Sequence, residues 1–170
     1  MSYSVYEACI PPMIRFLENV SKLLDKAVAQ AKARDLPLSE LLEARLAPDM
    51  FAFPRQIQVT SDIAKLAAAR LAGMEPPSFP DTETTFPELQ ARIAKTIDYL
   101  KSVPREKFEG AEDRTIILKF PQGEVSFMGR DFVTNFALSN FFFHVTTAYD
   151  ILRHKGLEIG KMDYLGGVPQ

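Results

Sequence analysis

Apolar residues recur at helical spacing along four stretches of this chain, with prolines or glycines between the stretches. In the first, Met13, Phe16, Leu17, Val20, Leu23, Leu24, Ala27 and Ala31 share one face, while Arg15, Glu18, Asn19, Lys22, Asp25 and Lys26 occupy the other. Pro11 and Pro12 either start the regular part of this helix or kink an earlier turn that includes Tyr6 to Ile10. Ser39 to Leu46 reads as a short helix, and Pro48 and Pro54 bracket an irregular link. Arg55 to Ala72 forms a second long helix stopped by Gly73. Pro76, Pro77 and Pro80 then stiffen a connector. The third long helix opens with Thr85-Phe86-Pro87-Glu88, a capping box, and continues through Leu89, Ile93, Ile97 and Leu100.

After Pro104 the pattern changes. Thr115 to Phe120 and Glu124 to Met128 are short β-prone runs separated by Pro121-Gln122-Gly123, the signature of a hairpin. A fourth helix runs from about Arg130 to Lys155 and stops at Gly156. With 170 residues, 46% of them hydrophobic, the chain can bury one substantial core. The expectation is an all-α fold, residues 1–170 as a single four-helix-bundle domain with a small β-hairpin inserted before the last helix.

Twenty basic and 22 acidic residues are spread along the chain, so no global field draws it to nucleic acid or to an anionic membrane. No stretch has the apolar length of a membrane span, and none resembles an export signal. Cys9 is the only cysteine, which excludes an intramolecular disulfide and makes a reducing cytoplasm the expected compartment. It has no basic neighbour to activate its thiol and is read as inert.

The fourth helix carries the chemistry. Projected at about 100° per residue, it leaves a narrow polar stripe through Asn135, Ser139, Thr146, Asp150 and Arg153. His144, one of two histidines, falls inside the broad apolar arc beside Ala137, Phe141 and Ala148, with Asn140 one turn away. On the second helix Gln56 lies on the apolar face with Thr60, Ile63 and Ala67, and Gln58 points outward. A buried amide needs a partner, and Asn140 and His144 are the candidates for Gln56. Asp49 is either a helix cap or a site carboxylate. The Phe141-Phe142-Phe143 run reads as core and partner-helix packing rather than a cofactor-stacking platform, and Tyr149 as a packing or interface residue. His154, about 15 Å from His144 along the axis, serves the helix C-terminus.

Three runs together resemble a known family: Leu46-Ala47-Pro48-Asp49-Met50-Phe51 followed by Gln56; Asn140 to His154; and Gly160 to Gly166. This is an uncharacterised bacterial and fungal family similar to the DinB/YfiT-like metalloenzyme superfamily, and the resemblance covers almost the whole chain. It implies a four-helix bundle, often dimeric. In superfamily members a divalent metal such as zinc or nickel is bound by three histidines, one from the second helix and two, four residues apart, from the last. Here Asp49 and Gln56 stand in the second-helix region and Asn140 and His144 form the last-helix pair. Only His144 matches a ligand position. Amide oxygens replace imidazole poorly at a transition metal, so no metal ligands are assigned.

The resulting expectation is a small-molecule-binding protein or enzyme with an interior polar pocket of Asp49, Gln56, Asn140 and His144, in which His144 would be the general base. No cofactor is specified by these residues. The alternative is a non-catalytic homodimer in which His144 is structural and the apolar arc of the last helix continues across the interface.

Overall fold

The computed structural model describes residues 4–167. Helix α1 spans Val5–Ala33, with Ser4 accepting from the Glu7 amide at its start. It is continuous through Pro11 and Pro12, so the turn from Tyr6 to Ile10 belongs to the helix and the prolines do not start it. Short helix α2 covers Leu38–Leu42, ending earlier than the sequence pattern predicts. Helix α3 covers Phe53–Ala72 with Pro54 in its first turn, and Gly73 closes it in the left-handed conformation at φ 64°. Helix α4, Phe86–Ser102, begins with the predicted Thr85–Glu88 capping box.

Two short 3-10 turns, Arg105–Phe108 and Ala111–Asp113, lead into the hairpin. Strands β1 (Thr115–Phe120) and β2 (Gly123–Met128) pair antiparallel, with Thr115 opposite Met128 and Phe120 opposite Gly123. A lone two-stranded ribbon is marginal in water. This one buries Ile116 and Leu118 and sets Phe127 against Phe132 and Phe136, with centroids 6.3 and 5.9 Å apart. Helix α5 (Gly129–Asp131) then passes through a π-helical segment, Phe132–Ala137, into α6 (Leu138–His154). The predicted fourth helix is therefore present but interrupted by a wider turn. Helix α7, Lys161–Leu165, follows.

The fold is mostly helical with one small antiparallel hairpin. Helix α3 packs on both α4 and α6, and α1 packs on α4, α6 and α7. The core between them contains Met13, Leu17, Leu24, Phe53, Phe86 and Phe141, each under 2% exposed. Burial of each such side chain contributes roughly 1.5–3 kcal/mol. No helix among the described residues is long and apolar enough to cross a membrane.

Two residues assigned outward positions by the helical projection are buried. Asn19 is 3% exposed because α7 lies over α1: its amide donates to the Tyr164 carbonyl at 3.0 Å, Arg15 donates to Leu165, and Lys26 pairs with Asp163. Gln58 is 6% exposed because the proline-rich connector crosses α3 and brings Glu83 to it, 3.1 Å from the Gln58 amide. Both neighbours come from segments without helical periodicity. A projection of the host helix alone cannot register them.

Candidate functional site

The contact between α3 and α6 brings Gln56 and His144 together, 2.7 Å between Oε1 and Nδ1. The Gln56 amide nitrogen donates to the Phe51 carbonyl at 3.0 Å, which orients the amide and leaves Oε1 facing the imidazole. That oxygen can only accept. His144 must therefore carry its proton on Nδ1, so the neutral ring has its lone pair on Nε2.

The rings beside His144 complete its surroundings. Phe51 lies nearly parallel to it, with centroids 6.5 Å apart and planes 20° from each other, and Phe143 meets it edge-on at 5.1 Å. The Arg55 guanidinium sits 5.6 Å from the Phe51 ring centre and pairs with Asp81. His144 is 8% exposed. Burial lowers its pKa from the ordinary 6.5, and the positive charge of Arg55 lowers it further, so the imidazole is neutral at physiological pH. A cavity of about 190 Å³ opens among Asp49, Met50, Phe51, Gln56, Phe143 and His144.

Three of the four sequence-predicted site residues, Asp49, Gln56 and His144, thus line one cavity, but it opens at the surface rather than in the interior, with Asp49 exposed and Phe51 51% exposed at its edge. Asn140 does not join them. It lines a second cavity beside the hairpin, with Arg70 and Phe136. One turn of helix shifts it about 6 Å along α6, and Gln56 already satisfies the imidazole Nδ1 that Asn140 was expected to share. Asp49 does not cap α3, whose N-cap is Ala52 without a side-chain bond. Of the run read from the sequence as core and partner-helix packing, Phe141 is buried and Phe143 is 56% exposed at the cavity rim. Sequence reasoning also missed Arg55. The available signal was its position next to Gln56 and one turn after Phe51.

Remote contacts hold Arg55 against Phe51, outside the cavity lining. Arg55 donates to Gln58 at 3.3 Å, and the Asp81 that pairs with it also pairs with Arg92, at 3.0 Å. Arg92, 1% exposed at its side chain, reaches Glu83 at 3.1 Å and Asp62 at 2.9 Å. The connector is thereby clamped across α3 and α4. Cys9 is buried, and loss of hydration pushes its thiol up to about 12, consistent with an inert side chain.

A three-histidine metal centre does not fit these residues. The cavity offers one imidazole and the Asp49 carboxylate, and the Gln56 oxygen is already engaged by His144. Among the described residues no three His, Cys, Asp or Glu side chains form a group able to hold a metal ion.

Comparison with solved structures finds a crystal structure of a DinB family member protein from Shewanella denitrificans. It is 40% identical and superposes with a TM-score of 0.89 over 97% of this chain and 93% of that one. No curated protein matches. The model of a family described as a domain of unknown function, DUF1993, matches residues 5–165. With the family model covering nearly the whole chain and a DinB family member sharing its fold end to end, the chain belongs to the DUF1993 family.

Proposed function

We propose that the chain is a single DinB-like four-helix-bundle domain that binds a small molecule in the cavity around His144. The observation that carries this reading is the Gln56 bridge, which fixes the proton on Nδ1 and leaves Nε2 of a neutral imidazole as the acceptor. Phe51 and Phe143 give the cavity aromatic walls, and Asp49 adds a carboxylate. Such a site suits a flat, largely apolar molecule with one N–H or O–H donor. In a catalytic version His144 accepts that proton as general base. The lone buried Cys9 suits a reducing cytoplasm.

The test is a screen of phenols and heteroaromatic N–H compounds by NMR of histidine-labelled protein. Binding that shifts the His144 resonances and vanishes in a folded His144→Ala variant supports the proposal. Folded protein that responds to none of them, or that binds equally well after His144→Ala, overturns it.

A homodimer is the second reading, favoured by the exposure of Phe143 at 56% and Phe51 at 51%. A partner covering these rings would close the His144 cavity from outside. Sedimentation of the wild type and of Phe143→Glu at micromolar concentration distinguishes them. A monomer in both removes this reading, and a dimer lost in the variant supports it.

A further inference from the structure

The second cavity, of about 200 Å³, lies where the hairpin, the π-helical segment and the C-terminal half of α3 meet. Its walls are apolar. Leu118 and Phe120 come from β1, and Phe132 and Phe136 from the π segment, with Phe136 centred 5.9 Å from Phe132 and 6.3 Å from Phe120. The wider π turn presents these two phenylalanines on the same side as Asn140, and π segments recur at binding sites for this kind of reason.

Two polar side chains, those of Arg70 and Asn140, meet this apolar setting, and no carboxylate lines it. Lys119 borders the cavity, but its side chain is 81% exposed and pairs with Glu124 at 3.4 Å on the solvent side of the hairpin. The side chains of Arg70 and Asn140 have no hydrogen-bond or ion-pair partner among the described residues. Arg70 is half-buried, and its loss of hydration lowers the guanidinium pKa from its ordinary value. An incompletely hydrated cation without a counterion is unfavourable, and an entering anion relieves it. The amide of Asn140 supplies a neutral donor beside that charge.

We propose that this cavity binds a small monocarboxylate with an aryl or short alkyl body, the carboxylate held by Arg70 and Asn140 and the hydrocarbon by Phe120, Phe132 and Phe136. One unengaged cation favours one negative charge. The volume admits a single ring or a short chain, not a nucleotide or a peptide. The site is independent of the His144 cavity, because Arg70 lies about 20 Å beyond Gln56 along the α3 axis.

Benzoate and its neutral counterpart benzyl alcohol are the probes, titrated into the full chain while backbone amide resonances are followed by NMR. Benzoate is expected to shift the amides of Ile63, Phe136 and Asn140 and to saturate in the millimolar range. Benzyl alcohol should bind at least about tenfold more weakly, since it lacks the charge. Arg70→Gln should weaken benzoate by a similar factor and leave benzyl alcohol unchanged, and His144→Ala should change neither. Equal binding of the two probes, shifts centred on Phe51 and His144, no response to benzoate, or a folded Arg70→Gln protein with undiminished benzoate affinity would each overturn the proposal. The charged and neutral probes are compared on the unmodified chain, so the conclusion survives even where Arg70→Gln does not fold.

Discussion

The imidazole of His144 and the amide of Gln56 meet 2.7 Å apart between α6 and α3, and the second arm of that amide is tied to the Phe51 carbonyl at 3.0 Å. A single side chain therefore selects the histidine tautomer and anchors the loop carrying one wall of the cavity. Gln56→Leu should cost about 1–3 kcal/mol in urea denaturation, because His144 Nδ1 and the Phe51 carbonyl lose their partner together. Nitrogen chemical shifts should report the Nδ1–H form in the wild type and a mixture of tautomers in the variant. A wild type with predominantly Nε2–H imidazole would contradict the arrangement.

Acid should destabilise the fold through His144. Its folded pKa is depressed, first by burial and then by the charge of Arg55, whereas in the unfolded chain it returns to about 6.5. Above that unfolded value both states are neutral and the stability is intact. As the pH falls below it, the unfolded chain takes up a proton before the folded one, and stability declines until the pH passes the lower folded value. Urea midpoints compared between about pH 8 and pH 5 should fall more for the wild type than for His144→Gln, which has no ring to titrate. Arg55→Gln removes the second cause, so the His144 pKa measured by NMR should rise. A pKa that stays in place after Arg55→Gln would show that burial alone sets it.

What the sequence revealed follows from the range of each interaction. The long helices, the Thr85–Glu88 box, the Gly73 and Gly156 stops and the hairpin are encoded within a few residues, and each lies close to its expected place. The Gln56–His144 contact was legible too, since each residue was the conspicuous polar group on an otherwise apolar face. Gln58 and Asn19 were misplaced because their partners, Glu83 and Tyr164, arrive from segments that carry no period. The π segment was invisible for a related reason. Its wide turn changes which residues face the hairpin without changing their apolar character, so the cavity at Asn140 had no signature in a projection that assumes a regular helix.

Arg92 holds the connector between α3 and α4, and the site feels it indirectly. Its guanidinium is nearly inaccessible, and it faces Glu83, Asp62 and Asp81 together with the carbonyls of Pro80 and Gln58. Arg92→Ala leaves these carboxylates close together without their shared cation. The expected loss is about 3 kcal/mol, toward the lower end of the range for breaking a buried pair because the carboxylates retain some water. Amide exchange should accelerate in the connector, residues 74–84. Since Asp81 also pairs with Arg55, the position of Arg55 over Phe51 should loosen as well. Unchanged exchange in the connector, with stability reduced elsewhere, would separate Arg92 from this role.

The junction between the hairpin and α5 depends on a residue without a side chain. Gly129 is buried where α5 passes the second 3-10 turn, and a Cβ built there would fall on the carbonyl oxygen of Ala111. That obstacle is backbone within a short turn, so the main chain itself must move. Gly129→Ala should therefore destabilise by at least about 2 kcal/mol, as overpacking against a fixed neighbour does. Gly160→Ala is the matched control, because a Cβ there meets nothing within 4 Å. It should change the urea midpoint little. The two substitutions add the same methyl group to the chain, and a similar effect from both would show that the approach of α5 to Ala111 is not what requires glycine at position 129.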